Sequence, residues 1–119
     1  MSFLFVSAGG FLGAIARFMV GLKLNFKQPL RPYGTWLANL TGSLMLATLF
    51  VLYDKNVILY SIWLFLGVGF CGSYTTFSTF SNELLAMVLE HKYRDAVIYV
   101  TCSILLSMVG VFVILGLFL

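Results

Sequence analysis

Apolar residues in this chain run in long blocks rather than in alternating stripes. No charge falls within 1–16, 32–53, 56–82 or 96–119. The interludes between blocks carry proline, asparagine or clustered charges, which end a membrane helix. A helix crossing a hydrocarbon core takes roughly 20 apolar residues, and a surface helix of a soluble protein shows only one apolar face. The pattern therefore predicts an all-α integral membrane protein: one transmembrane domain over 1–119, with spans at about 3–24, 35–52, 57–89 and 96–119.

The third span is too long to be one smooth helix. At 1.5 Å per residue, 57–89 would reach about 50 Å, against a core of about 30 Å. Its middle reads Gly67-Val68-Gly69-Phe70-Cys71-Gly72-Ser73-Tyr74-Thr75-Thr76, where glycine and β-branched threonine weaken a helix. We expect two half-helices, about 57–71 and 77–89, with unwound backbone near 72–76. Unwound backbone at membrane depth is tolerated only where it is buried in protein or lines a cavity. In transporters it marks ion sites, and a kink without a ligand is the other reading.

Composition narrows the class. Hydrophobic residues make up 61% and charged residues 9%, against about 45–50% and about 25% in soluble domains. That argues against a soluble enzyme, a nucleic-acid binder or a disulfide-stapled domain. The net charge of +3 forms no basic stripe. It sits mostly in loops, as anchoring to an anionic lipid leaflet requires. Cys71 and Cys102 lie inside apolar spans with no C-x-x-C and no nearby histidine, so they read as buried free thiols. Ala14-Ile15-Ala16 looks like a cleavage site, but no Lys or Arg precedes it and Arg17 follows; we expect a retained first span.

With four spans, both termini share a side with the loop holding Lys55. The other side holds Lys23, Lys27, Arg31, Lys92 and Arg94. The positive-inside rule makes that side cytoplasmic and puts both termini outside.

Few residues could carry chemistry. Arg17 is either a snorkelling interface residue or part of a positive vestibule that concentrates anions. Thr35, Asn39 and Ser43 recur at i, i+4, i+8, forming a polar stripe. Its amide donor is either a pore group or glue between helices. Phe77 and Phe80 are i, i+3 neighbours beside Thr76, Thr79 and Glu83. Aromatic edges are electropositive, so two of them suit a small anion; plain packing is the alternative. Glu83 is the only carboxylate within a span, and reads as a cap or interface residue. Tyr99, Ser103 and Ser107 form a hydroxyl stripe that either lines a hydrated path or bonds back to its own helix. Gly9-x-x-x-Gly13 signals close helix packing.

Three segments together resemble the signatures of the Fluc (CrcB) fluoride channel family, in order and over nearly the whole chain. They are Gly9-Gly10-Phe11-Leu12-Gly13-Ala14-Ile15-Ala16-Arg17, Gly34-Thr35-Trp36-Leu37-Ala38-Asn39-Leu40-Thr41-Gly42-Ser43 and Gly69-Phe70-Cys71-Gly72-Ser73-Tyr74-Thr75-Thr76-Phe77-Ser78-Thr79-Phe80-Ser81-Asn82-Glu83. The resemblance implies a fluoride-selective channel that passively exports fluoride across the cell membrane, built as an antiparallel dimer with two pores and a central Na+. It further implies that Phe77 and Phe80 form an aromatic box, with Asn39, Ser78 and Thr79 as pore-side donors and Tyr99, Ser103 and Ser107 as a polar track. Arg17 would sit at the vestibule, and the backbone carbonyls of Gly72 and Thr75 would hold the Na+. Ser73 stands where many members carry a second glycine, which matters only if the backbone there needs positive φ.

The partner is then a second subunit in inverted orientation. A chain inserting both ways should have balanced loop charges, and this one does not. We therefore expect an inverted paralogue in preference to an identical chain. Two rivals differ in class. A small proton-coupled multidrug transporter needs a carboxylate in its first span, yet no acidic residue precedes Asp54. A non-conducting assembly subunit is the other rival, and the polar stripes and the broken span argue against it.

Overall fold

In the computed structural model, residues 2–27 and 30–119 are described. Pro29, assigned above to the first loop, lies outside them, as do the side chains of Lys27 and Arg31. Three helices are long and apolar enough to cross a membrane: α1 (Ser2–Leu24), α2 (Tyr33–Asp54) and α6 (Tyr93–Phe118). Their ends fall within three residues of the expected spans. Between α1 and α2 the sequence predicted only a loop. Instead β1 (Asn25–Lys27) and β2 (Leu30–Pro32) pair antiparallel, Phe26 opposite Arg31. Strands this short carry no alternation long enough to read.

The remaining span is discontinuous. A helical rod covers 60–74, built from α3 (Tyr60–Ile62), a π-helix over Trp63–Cys71 and α4 (Gly72–Tyr74). Thr75 then turns extended, at φ −77° and ψ 152°, and α5 (Ser78–Leu89) follows. Rod and α5 each reach only about 20 Å, so neither alone crosses a core of about 30 Å. The break falls later than expected. Gly72 is helical, at φ −62° and ψ −33°, and the non-helical residues are 75–77 rather than 72–76.

Helices α2 and α5 end alike. The Val57 amide reaches back to the Leu52 carbonyl and that of Lys92 to Met87, with Asn56 and His91 at positive φ. This Schellman arrangement satisfies carbonyls that a helix end would orphan.

Packing is closest where α1 meets the π-helix. A Cβ added to Gly9 would collide with the Phe65 carbonyl, one on Gly13 with the Phe70 carbonyl, and one on Gly69 would lie 2.6 Å from the Val6 carbonyl. Only glycine lets two backbones approach this far, which is how membrane helices gain dispersion contact without a hydrophobic drive. Ser73 Oγ adds a 2.6 Å hydrogen bond to the Gly10 carbonyl. On the opposite flank α2 packs on α6 and α5 on α6, burying Met87, Ala96 and Tyr99 against Trp36, Phe80 and Leu84. Most large apolar side chains face outward, Phe3, Phe112 and Leu117 among them. Lipid, or a second subunit, is the solvent such a surface needs.

Candidate functional site

The break is held by one side chain from another helix. Asn39, on α2, donates through Nδ2 to the Thr76 carbonyl at 2.9 Å and accepts the Thr76 amide at Oδ1 at 2.7 Å. Both backbone polar groups of Thr76 are satisfied without helix. Asn39 is therefore a clamp first, with one amide hydrogen left for other use.

This clamp redirects the backbone around it. Helical continuation would give the Thr76 amide to the Gly72 carbonyl, but Asn39 takes it. It would likewise give the Thr79 amide to the Thr75 carbonyl, but Thr76 Oγ1 takes that one, at 3.2 Å. Thr76 thus caps α5. The Cys71 carbonyl is already occupied by the Thr75 amide and hydroxyl, at 3.1 and 2.9 Å. Gly72 and Thr75 are therefore the two residues near the break whose carbonyls lose their helical donors to side chains. Two such oxygens suit a hard cation.

Beside the break lies a cleft of about 400 Å³, lined by Asn39, Thr76, Phe77, Phe80, Ser103 and Ser107 among others. Phe77 and Phe80 have ring centroids 6.4 Å apart, and Phe80 leans on Tyr99 at 4.9 Å. Phe77 is 79% exposed, so a single chain leaves one wall open. Ser103 Oγ is buried there with no hydrogen-bond partner among the described residues. A buried hydroxyl left in that state is costly, and an anion or water in the cleft would relieve it.

The structure thus brings together much of the expected set, but not all. Tyr99 supports Phe80 from behind. Ser78 Oγ lies 3.5 Å from Thr76 Oγ1 on an exposed edge. Thr79 enters through its backbone amide. Arg17 is half-buried on α1 and does not line the cleft. Gly72 lines a separate apolar groove of about 580 Å³, with Leu46, Phe50, Trp63 and Val111.

Sequence reasoning missed the role of Glu83. It is neither a cap nor an interface residue at a helix end. It sits mid-way along α5, where Thr35 Oγ1 donates to Oε1 at 2.6 Å. The signal was present as two isolated polar residues in apolar spans, 48 positions apart. Inside a membrane such groups find each other.

Fold and site define a polytopic α-helical membrane protein whose broken span borders a hydroxyl- and phenylalanine-lined cleft. Residues 4–117 match the family model described as CrcB-like protein, Camphor Resistance (CrcB). The chain is 36% identical over 112 residues to the fluoride-specific ion channel FluC of Sulfurihydrogenibium sp. (strain YO3AOP1), covering 92% of this chain and 90% of that one. It is 40% identical over 112 residues to the FluC of Caulobacter sp. (strain K31), covering 92% and 88%. With the FluC of Marinobacter nauticus it shares 39% over 114 residues, covering 92% and 90%. The chain belongs to the CrcB family.

Proposed function

We propose that this protein is a subunit of a fluoride-selective channel that exports fluoride passively from the cytoplasm. The observation that carries the reading is the cleft itself: paired phenylalanine rings beside hydroxyls, one of them buried without a partner. Fluoride is small and strongly hydrated, so a pore must replace water with donors. Ser103 and Ser107 supply hydroxyls and Asn39 its remaining amide hydrogen. The edges of Phe77 and Phe80 supply weak positive charge without a deep trap. Tyr99, Ser78 and Thr79 extend or support this set, and Arg17 biases the vestibule toward anions. Names of relatives in the family support the same anion.

The driving force is electrical. Neutral hydrofluoric acid entering from an acidic exterior ionises inside, and an inside-negative potential expels the anion at about 2.3 kcal/mol per charge per 100 mV. On this reading the protein is a channel of the cell membrane rather than an enzyme, and the loop-charge asymmetry favours both termini outside.

What one chain leaves open supports a second subunit. Phe77 is uncovered and the 580 Å³ groove is apolar, so an inverted partner would close the pore and bury the groove. The charge asymmetry favours a paralogue over an identical chain. The Gly72 and Thr75 carbonyls, released from helical bonding, fit a Na+ shared between subunits. Such an ion would offset the partial negative charge that the C-terminal end of the rod places there in each subunit.

The test is fluoride release from loaded liposomes, followed with a fluoride electrode beside a chloride control. The protein is reconstituted alone and with an inverted paralogue. Fluoride release without chloride release is expected in at least the second arm. Release of neither anion in both arms, or of both anions equally, overturns the reading.

A further inference from the structure

The polar stripe on α2 contains a residue that the cleft described above does not yet use. Ser43 lies one helical turn beyond Asn39. It lines the 400 Å³ cleft with Asn39, Thr76 and Ser103. It also lines a smaller cleft of about 200 Å³, whose other walls are Ser107, Met108, Val111 and Phe112, and the 580 Å³ apolar groove. Of these three spaces it is the one common residue. In the smallest, Ser43 and Ser107 are the only polar side chains among the described residues.

That placement matters for an ion that must never be stripped of donors. An anion moving past Ser103 meets a space otherwise walled by methionine, valine and phenylalanine. Among this chain's described side chains, two hydroxyls are all that can replace its water there. From Phe77 and Phe80 through Ser103, the donors continue only where Ser43 and Ser107 share a wall.

Ser43 is also free to act. Its Oγ donates to the Asn39 carbonyl at 2.7 Å. The Ser43 backbone amide, four residues on in the same helix, is the regular donor to that carbonyl. When the hydroxyl rotates away, the carbonyl keeps a partner, so nothing is orphaned. The Asn39 side chain has no comparable freedom, because turning it would release the Thr76 peptide.

We propose that Ser43 is a further fluoride-path residue. It is a rotating hydroxyl that leaves the Asn39 carbonyl to meet the anion and, with Ser107, carries it through the narrow apolar end of the path. This rests on the channel reading above.

Three variants test it in liposomes, using whichever subunit composition conducts. Ser43→Ala removes the hydroxyl, while Ser43→Thr and Ser43→Val differ only in having it or lacking it at nearly equal volume. Fluoride release from Ser43→Ala is expected to slow at least about fivefold, the order of one lost hydrogen bond to an ion. Ser43→Thr should outpace Ser43→Val by a similar factor, with the elution profile of the purified assembly unchanged. Ser43→Ala at the wild-type rate overturns the proposal. So do Thr and Val variants slowed equally, since that pattern reports space rather than a donor. A wild-type assembly that releases no fluoride overturns the channel reading and this proposal with it. Wild-type conduction with an unaffected Ser43→Ala variant overturns this proposal alone.

Discussion

In the broken span the rod over 60–74 packs on α1 backbone against backbone, whereas the end of the rod, the break and α5 are joined to α2 through side-chain oxygens. Along α1, Gly9 and Gly13 meet carbonyls of the π-helix with no room for a methyl group. Along α2, Thr35, Asn39 and Thr41 reach across to Glu83, the Thr76 peptide and Tyr74. Both faces lie in apolar spans, where water cannot drive helices together, so each solves association differently. Close approach gains many small dispersion contacts and tolerates no extra volume. Polar bridges leave space between helices, and the 400 Å³ cleft opens on that side. The seam is the fixed wall against which the break is held, and the polar face is where a small ion finds donors.

The sharpest way to break this contrast is to add volume at the seam. In Gly9→Leu the new Cβ would strike the Phe65 carbonyl, with the Phe70 amide nitrogen 3.0 Å away. Backbone cannot swing aside as a side chain can, so α1 and the π-helix must separate. Over-packing ordinarily costs about 1–3 kcal/mol, and collision with the backbone of a packed helix belongs at or above the top of that range. We expect no monodisperse protein on gel filtration. A folded Gly9→Leu variant of wild-type thermal stability would mean that the seam is not close-packed.

A smaller effect is expected from the polar face. Asn39→Ala leaves the Thr76 amide and carbonyl without their partners. An orphaned buried group costs about 1–3 kcal/mol, although bonds between membrane helices average nearer 0.6 kcal/mol. A net loss of about 2 kcal/mol corresponds to roughly thirtyfold faster exchange of the Thr76 amide hydrogen. Hydrogen–deuterium exchange by mass spectrometry would read it. Unchanged protection would show that Thr76 is held by something other than Asn39.

The same residue explains what was legible in the sequence and what was not. Span ends could be read because charge and proline stop a membrane helix locally. The existence of a break could be read from length and glycine content. Its place could not. Gly72 looks like the weak point, yet it stays helical with open space around it. The chain leaves the helix only where Asn39, 37 positions away, captures an amide. Local propensity contains no information about that distant partner. The motif Gly9-x-x-x-Gly13 likewise announced a close contact without naming the π-helix as its other half. The pairing of Thr35 with Glu83 was visible only as two residues out of place. The pairing of 25–27 with 30–32 left no pattern at all.

The mildest change probes whether the seam owes anything to polarity. Ser73 is the one side chain here that joins the two modes. It lies on the glycine seam, yet its Oγ donates to the Gly10 carbonyl at 2.6 Å. It has no positive φ, which among the described non-glycine residues is confined to Asn56 and His91; the backbone makes no demand for glycine there. The Gly10 carbonyl also has a regular helical donor in α1, the amide of Ala14. Ser73→Ala therefore removes one bond and orphans nothing. The loss should be about 0.6 kcal/mol and no more than about 1.7, read as a small drop in thermal midpoint in detergent. Gly13→Ala should cost more although it adds only a methyl, because that methyl meets the Phe70 carbonyl as well as Ser73 Oγ. Combining the two should recover only the serine part of that cost, since the carbonyl cannot be mutated away. If Ser73→Ala instead cost as much as Gly13→Ala, the seam would depend on its single hydrogen bond. Both joints of the broken span would then be polar, one crowded and one open.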